Sequence, residues 1–256
     1  WDARIEDTIE TQISSVQDEI TTCTVSPSLG AFVRVRKNGF WLYQSTTQLK
    51  DIKSILRQLA DSEVPATNKN YAYHHPKSAA YINLSAAAYK FSDISIDEKS
   101  KTVLNYAHFV SQQPNVTAVR MRYKDVYKVK SYLNSVGTQF EYDFNQGGIS
   151  FGYTLKKGQN IYDDGPRYYG SVFSQLLNHH DDVQKYISES QEFLDAPSIT
   201  PGKYNVLMNS DVAGVFTHES FGHKSEADSM IGDEASLEEW KIGKKIASEC
   251  LTIADQ

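Results

Sequence analysis

The sequence predicts an α+β protein built from antiparallel β-sheets with packed helices. Two long stretches, 3–43 and 116–155, are rich in β-branched and aromatic residues. Helical spacing of apolar residues follows each of them, at 49–59 and again after Tyr168. The resulting order of strands, helix, strands, helix, strand and helix favours antiparallel sheet over a doubly wound parallel fold. No G-x-G-x-x-G or Walker-type loop occurs, which removes the commonest nucleotide-binding folds.

Each element has its own signal. In 3–13, Ala3, Ile5, Ile9 and Ile13 fall on one alternating face, with mostly polar residues between them. Thr21–Val25 continues in β-branched style. Asn38-Gly39 then separates two β-prone runs, 31–37 and 40–43. Asn-Gly suits a tight type I′ hairpin, whose two turn residues both need positive φ. Leu49, Ile52, Ile55, Leu56 and Leu59 share one side of a helix. Residues 63–96 read as a long loop with short embedded elements. A helix is predicted over 97–112, with Asp97 as N-cap and Glu98 in the first turn.

A tyrosine-, valine- and threonine-rich block from Val116 to Leu155 is predicted as strands, punctuated by Gly137 and Gly147-Gly148 and closed by Lys157-Gly158. Tyr168–Phe193 reads as helix, 203–208 as a short buried strand, and helices follow from Asp211 and over Ser236–Glu249. The sequence divides into an N-terminal α+β domain, 1–200, and a motif segment, 201–256, in which the motif helix stands near the C-terminal end of the chain.

Composition narrows the function classes. Hydrophobic residues are 40% and charged residues 23% of the 256, ordinary for a globular protein with a substantial core. A net charge of −6 and no evident basic stripe speak against nucleic acid as a direct partner. No apolar run is long enough to span a bilayer, so no membrane partner is expected. The start at Trp1 leaves open a leader that has been removed. Two cysteines, Cys23 and Cys250, make neither a disulfide framework nor a cysteine zinc site.

The chemistry concentrates in 211–230, DVAGVFTHESFGHKSEADSM. His218-Glu219 with His223 forms H-E-x-x-x-H, one residue longer than the zinc-binding H-E-x-x-H. Histidines at i and i+5 stand roughly 140° apart on a regular α-helix, so both cannot grip one ion from it. A π-bulge would return them to one side, and Gly222 lowers the cost of other distortions; alternatively the helix breaks there. Glu219 is suited to general-base work on water activated by a metal. Surface composition alone can also leave two histidines five residues apart. The apolar frame of Val212, Val215, Phe216 and Phe221 predicts a largely buried helix, where unpartnered histidines would be costly.

The run from Asp211 to Asp228 resembles the signature of the TldD/PmbA family, in its metal-binding, TldD-like branch. Residues 3–45, 201–209 and 246–255 resemble the family's opening strands, its P-G-x-Y-x-V lead-in and the segment after its motif helix. The resemblance implies a zinc-dependent, cytoplasmic peptidase that trims or matures peptides. It also implies assembly as a homo- or heterodimer with a TldD/PmbA-type subunit. It assigns Zn2+ to His218 and His223, general-base work to Glu219, and neighbouring acidic positions to Glu226 and Asp228. Orientation of the histidines is the role expected of that acidic pair. The family's third protein ligand is a cysteine further along, in a C-terminal domain, and Cys250 does not match its position. Cys250 is instead expected to be buried and structural. Glu238 or Glu239 is an internal alternative for the third ligand. The competing reading is a non-catalytic scaffold subunit that retains the motif without zinc.

Other features invite milder readings. His74-His75-Pro76 reads as a solvated loop, and Asn178-His179-His180-Asp181-Asp182 as the exposed face of a helix. Gly147–Phe151 could offer a strand edge to an extended peptide.

Overall fold

A computed structural model describes residues 1–65, 80–84, 90–228, 230 and 232–253. The histidine pair His74-His75 lies outside the described residues. The chain divides into two compact units, Trp1–Pro197 and Ser198–Gln256.

The first unit is built on one sheet of eight strands among the described residues. Strands β1 (Asp2–Val16), β2 (Glu19–Lys37), β5 (Val116–Asn134) and β6 (Gln139–Lys157) are long, with β3 (Phe40–Thr46) and β4 (Ala80–Asn83) shorter. Their order is β3-β2-β1-β5-β6-β4. Every pairing is antiparallel except that of β4 with β6. The β2–β3 hairpin turns on Asn38 and Gly39, with φ of 50° and 87°. Both turn residues are therefore left-handed, as the Asn-Gly pair requires.

The long strands alternate sharply, and this alternation makes the two faces of the sheet different. On one face, Val119, Met121 and Tyr123 of β5 meet Ile149, Phe151 and Tyr153 of β6. Helices α2 (Ile96–Ser111) and α3 (His180–Glu192) cover them through Val103, Tyr106, Ala107, Val110, Val183 and Ile187. A second apolar cluster of Ala3, Ala31 and Val33 lies under Ile55 and Leu59 of α1 (Ile52–Asp61).

Inside the first cluster sits a buried ion pair. Lys99 Nζ lies 2.7 Å from Asp125 Oδ2 and donates to Thr11 Oγ1 at 3.0 Å. Tyr123 donates its hydroxyl to the same carboxylate at 2.5 Å. Burial and the adjacent Asp125 both push the Tyr123 phenol up from its ordinary pKa.

The opposite face is polar. It carries a row of cations along β5: Arg120, Arg122, Lys124, Lys128 and Lys130. Lys128 and Lys130 reach Glu6, and Lys124 reaches Glu10. The Lys128 ammonium holds the Glu6 carboxyl below its ordinary pKa. This row corrects the expectation that the chain has no basic stripe. Period-two spacing hides it among the intervening Met121, Tyr123 and Asp125, and only the strand gathers it onto one face.

Several boundaries differ from expectation. Ser95, not Asp97, caps α2, its hydroxyl accepting from Glu98 N at 3.1 Å. Asp97 lies inside the first turn, where its charge suits the helix dipole. Gly147-Gly148 does not interrupt a strand but lies inside β6. The reason is that an aromatic ring occupies the space above each glycine. A Cβ on Gly147 would stand 2.4 Å from the Phe91 ring, and one on Gly148 would stand 2.5 Å from the Tyr169 ring. Gly147–Ser150 is paired on one side with β5 and on the other with β8 (Arg167–Gly170). It therefore offers no free edge to a peptide, which overturns that expectation.

The stretch predicted as one helix over Tyr168–Phe193 instead begins in a strand and becomes helical only in its second half. β7 (Asn160–Asp164) and β8 precede a 3-10 turn at Phe173–Leu176, and α3 begins only at His180. Nor are the histidines there on an open helix face. His179 stacks on Tyr168 with ring centroids 3.9 Å apart, and His180 stacks on Tyr106 at 4.8 Å.

Candidate metal centre

The second unit carries the motif. Asn209 caps α4 (Ser210–Thr217), its side chain accepting from Val212 N at 2.9 Å. The helix then continues as a π turn over His218–Gly222 and a 3-10 turn over His223–Ser225. The His223 amide donates to the His218 carbonyl, an i to i+5 bond that defines the π turn. One extra residue per turn cancels most of the angular offset between the two histidines. Their ring centroids stand 4.5 Å apart.

The consequence for chemistry is direct. Ligand atoms of His218, Glu219 and His223 all lie within 4.8 Å of one another. Glu219 Oε2 is 3.8 Å from His223 Nε2. On the other side of the same ring, His223 Nδ1 lies 3.1 Å from Glu226 Oε1. That bond fixes the ring and leaves Nε2 turned toward the cluster. Such carboxylate–imidazole contacts orient histidine ligands and raise their basicity. Two imidazoles and a carboxylate suit zinc in donor type.

Among the described residues no other histidine, cysteine or carboxylate completes this cluster. Glu238 pairs with Lys241 instead, and Glu239 is equally outside the group, so neither supplies a third ligand here. Asp228 stands in the turn after the motif, exposed. Phe221, the fourth residue of the π turn, packs edge-on to Trp240 with centroids 5.1 Å apart. This aromatic contact ties the motif to the end of α5 (Glu234–Glu239).

Four expectations for this unit are corrected. Val212, Val215 and Phe216 are 53%, 62% and 60% exposed, so the motif helix is not buried in this chain. Residues 203–208 form no strand and are exposed, because no neighbouring strand offers them a ladder. The second helix stops at Glu239 rather than Glu249, and Cys250 is exposed in a turn. Lys241, Gly243, Lys244 and Lys245 interrupt any apolar stripe there.

Comparison with known proteins points one way. Residues 1–62 match the family model described as PmbA/TldA metallopeptidase domain 1. Residues 201–256 match the model described as PmbA/TldA metallopeptidase C-terminal domain. A metalloprotease of Archaeoglobus fulgidus is 23% identical over 100% of this chain and 58% of its own length. One from Synechocystis is 25% identical over 98% and 55%. A zinc metalloprotease TldD homolog of Saccharolobus solfataricus is 28% identical over 64% and 37%. The chain thus spans about half the length of the curated relatives it matches. Among solved structures, a DNA gyrase modulator of Thermotoga maritima aligns with a TM-score of 0.61 at 16% identity, covering 78% of this chain and 46% of its own. TldE from Thermococcus kodakarensis aligns at 0.56 and 12% identity, covering 74% and 43%. These two likenesses speak to fold alone. Family models matched at two separate segments, metalloprotease relatives aligned through the length between them and a shared fold converge: the chain belongs to the TldD/PmbA family.

Proposed function

We propose that this chain serves a zinc-dependent peptidase of the TldD-like branch, cleaving or maturing peptides in the cytoplasm as one subunit of a homo- or heterodimer. The observation that carries this reading is the π turn, which gathers His218, Glu219 and His223 into one group of ligand atoms. The metalloprotease names of the relatives agree with it.

His218 and His223 would hold the metal, and Glu226 would keep the His223 ring in place. A bound zinc ion would supply Lewis acidity to the scissile carbonyl and lower the pKa of water. Glu219 stands beside that position as general base: it takes a proton from the attacking water and returns it to the leaving amine nitrogen. Two histidines and one base fall short of the three protein ligands usual in catalytic zinc sites, so the remaining ligand comes from outside this cluster.

The test has two parts. Elemental analysis of the whole assembled enzyme should find about one zinc per motif. In that enzyme, Glu219→Gln should lower peptide turnover by a factor of about 10²–10⁴ while zinc stays bound. Normal turnover by the variant rules out the base, and absence of zinc rules out the peptidase.

A further inference from the structure

We infer that the open face of the sheet in the first unit holds an acidic peptide segment, gripped by Arg122 and Arg167 on either side of Ser150.

The register sets out the geometry. Arg122 of β5 pairs with Ser150 of β6, and Ser150 pairs with Arg167 of β8. The three residues form one row across the sheet. Two strand spacings separate the arginines, about 10 Å from backbone to backbone. The next row is Gln12, Lys124, Gly148 and Tyr169. The row on the other side brings Arg120 opposite Gly152. Neither glycine adds a side chain to this face. At Gly148 the Tyr169 ring lies directly on the backbone, yet its residue remains 71% exposed. Along these rows lies a groove of about 730 Å³ lined by Gln12, Arg122, Lys124, Gln146, Ser150 and Tyr169, and Arg167 stands at its side as the strand partner of Ser150.

Charge then identifies the occupant. Lys124 has Glu10 at 3.1 Å, and Lys128 has Glu6 at 2.8 Å. Arg120, Arg122 and Arg167 form no ion pair among the described residues. Asp163, the carboxylate of the neighbouring strand on this face, accepts instead from Thr154. Three guanidiniums are thus left without a carboxylate, within about two rungs of one another, on a chain of net charge −6. Guanidinium forks match carboxylates in bidentate geometry, and an exposed tyrosine adds a flat apolar wall.

A long polyanion fits less well. Nucleic-acid binding draws on roughly six to ten phosphate contacts, and Glu6 and Glu10 already neutralise the rest of this row. A segment with two or three carboxylates matches the unpaired arginines in number. The choice of peptide rests on the peptidase reading, and the groove would then select substrates that carry an acidic segment.

The experiment is fluorescence anisotropy of a fluorescein-labelled hexaglutamate peptide titrated with the full chain. Saturable binding is expected, weakening as salt rises from about 50 to about 500 mM. The Arg122→Gln, Arg167→Gln double variant should bind about tenfold more weakly or worse. Lys185→Gln, on exposed α3 away from the groove, should bind as the parent does. Equal binding by the double variant, or no saturable binding by the parent, overturns the inference. So does tighter binding of a labelled oligothymidylate of equal length, or displacement of the peptide by inorganic phosphate at lower concentration than by free hexaglutamate. Neither zinc nor turnover enters the measurement. A chain that binds hexaglutamate through these arginines while the assembled enzyme takes up no zinc would sink the peptidase and keep the groove.

Discussion

The two units of this chain divide stability and chemistry between them. In Trp1–Pro197 the alternation of long strands fills two apolar clusters, and side chains as large as Tyr106, Tyr123 and Phe91 are fully buried. In the second unit none of the described residues is buried: Leu207 is 99% exposed and Phe216 60%. The candidate metal centre belongs to the second. Its geometry comes from hydrogen bonding along a single helix and from one aromatic contact, not from a core. Substitutions should therefore separate cleanly into those that unfold the first unit and those that disarm the second.

The largest effect should come from the buried ion pair. Lys99→Met removes the only cation beside Asp125 among the described residues and strands a buried carboxylate. Urea denaturation followed by tyrosine fluorescence should show a loss of about 3–5 kcal/mol. A loss below 1 kcal/mol would mean that Asp125 can be hydrated or neutralised, and would blur the contrast between the units.

Gly147→Ala comes next. Its new methyl group meets the Phe91 ring, which is fully buried and cannot swing outward freely. The expected cost is about 1–3 kcal/mol, read in the same way. Ser95→Ala follows at about 1 kcal/mol, since it removes the cap of α2 without touching the core. Smallest of all should be His223→Ala, within about 0.5 kcal/mol of the parent, because the ring is half exposed. The same variant should fail to hold zinc in the assembled enzyme. A large stability loss from His223→Ala would break the division between the units.

Much of this was legible in the residues. Asn38-Gly39 announces its hairpin because few other pairs accept two positive φ angles. Leu49–Leu59 announces α1 because one apolar stripe is enough to define a helix face. The motif is legible as spacing, and the need for a distorted turn follows from arithmetic on 3.6 residues. What escaped has tertiary causes. Gly147-Gly148 reads as a break until Phe91 and Tyr169 are seen to replace the missing side chains. β7 and β8 are four or five residues each and take their stability from β6, so local pattern hardly marks them. Residues 203–208 have a strand's composition but no pairing partner, and β-propensity without a neighbour forms no strand. The basic row of β5 was present at alternate positions, broken only by Val126, yet its meaning depends on which strands lie beside it. Glu226 could be named as a neighbour of the site, while its grip on His223 Nδ1 required coordinates.

The π turn at His218–Gly222 has one more implication. An inserted residue in a helix ordinarily rotates everything beyond it by about 100° and counts as damage. Here the insertion is absorbed locally, and the helix on the near side of it keeps its register. H-E-x-x-x-H and H-E-x-x-H are then two spellings of the same three-dimensional word, differing by a letter that the backbone swallows. A search that scores only the four-residue interval passes over proteins written in the longer spelling, and a search that allows the bulge recovers them.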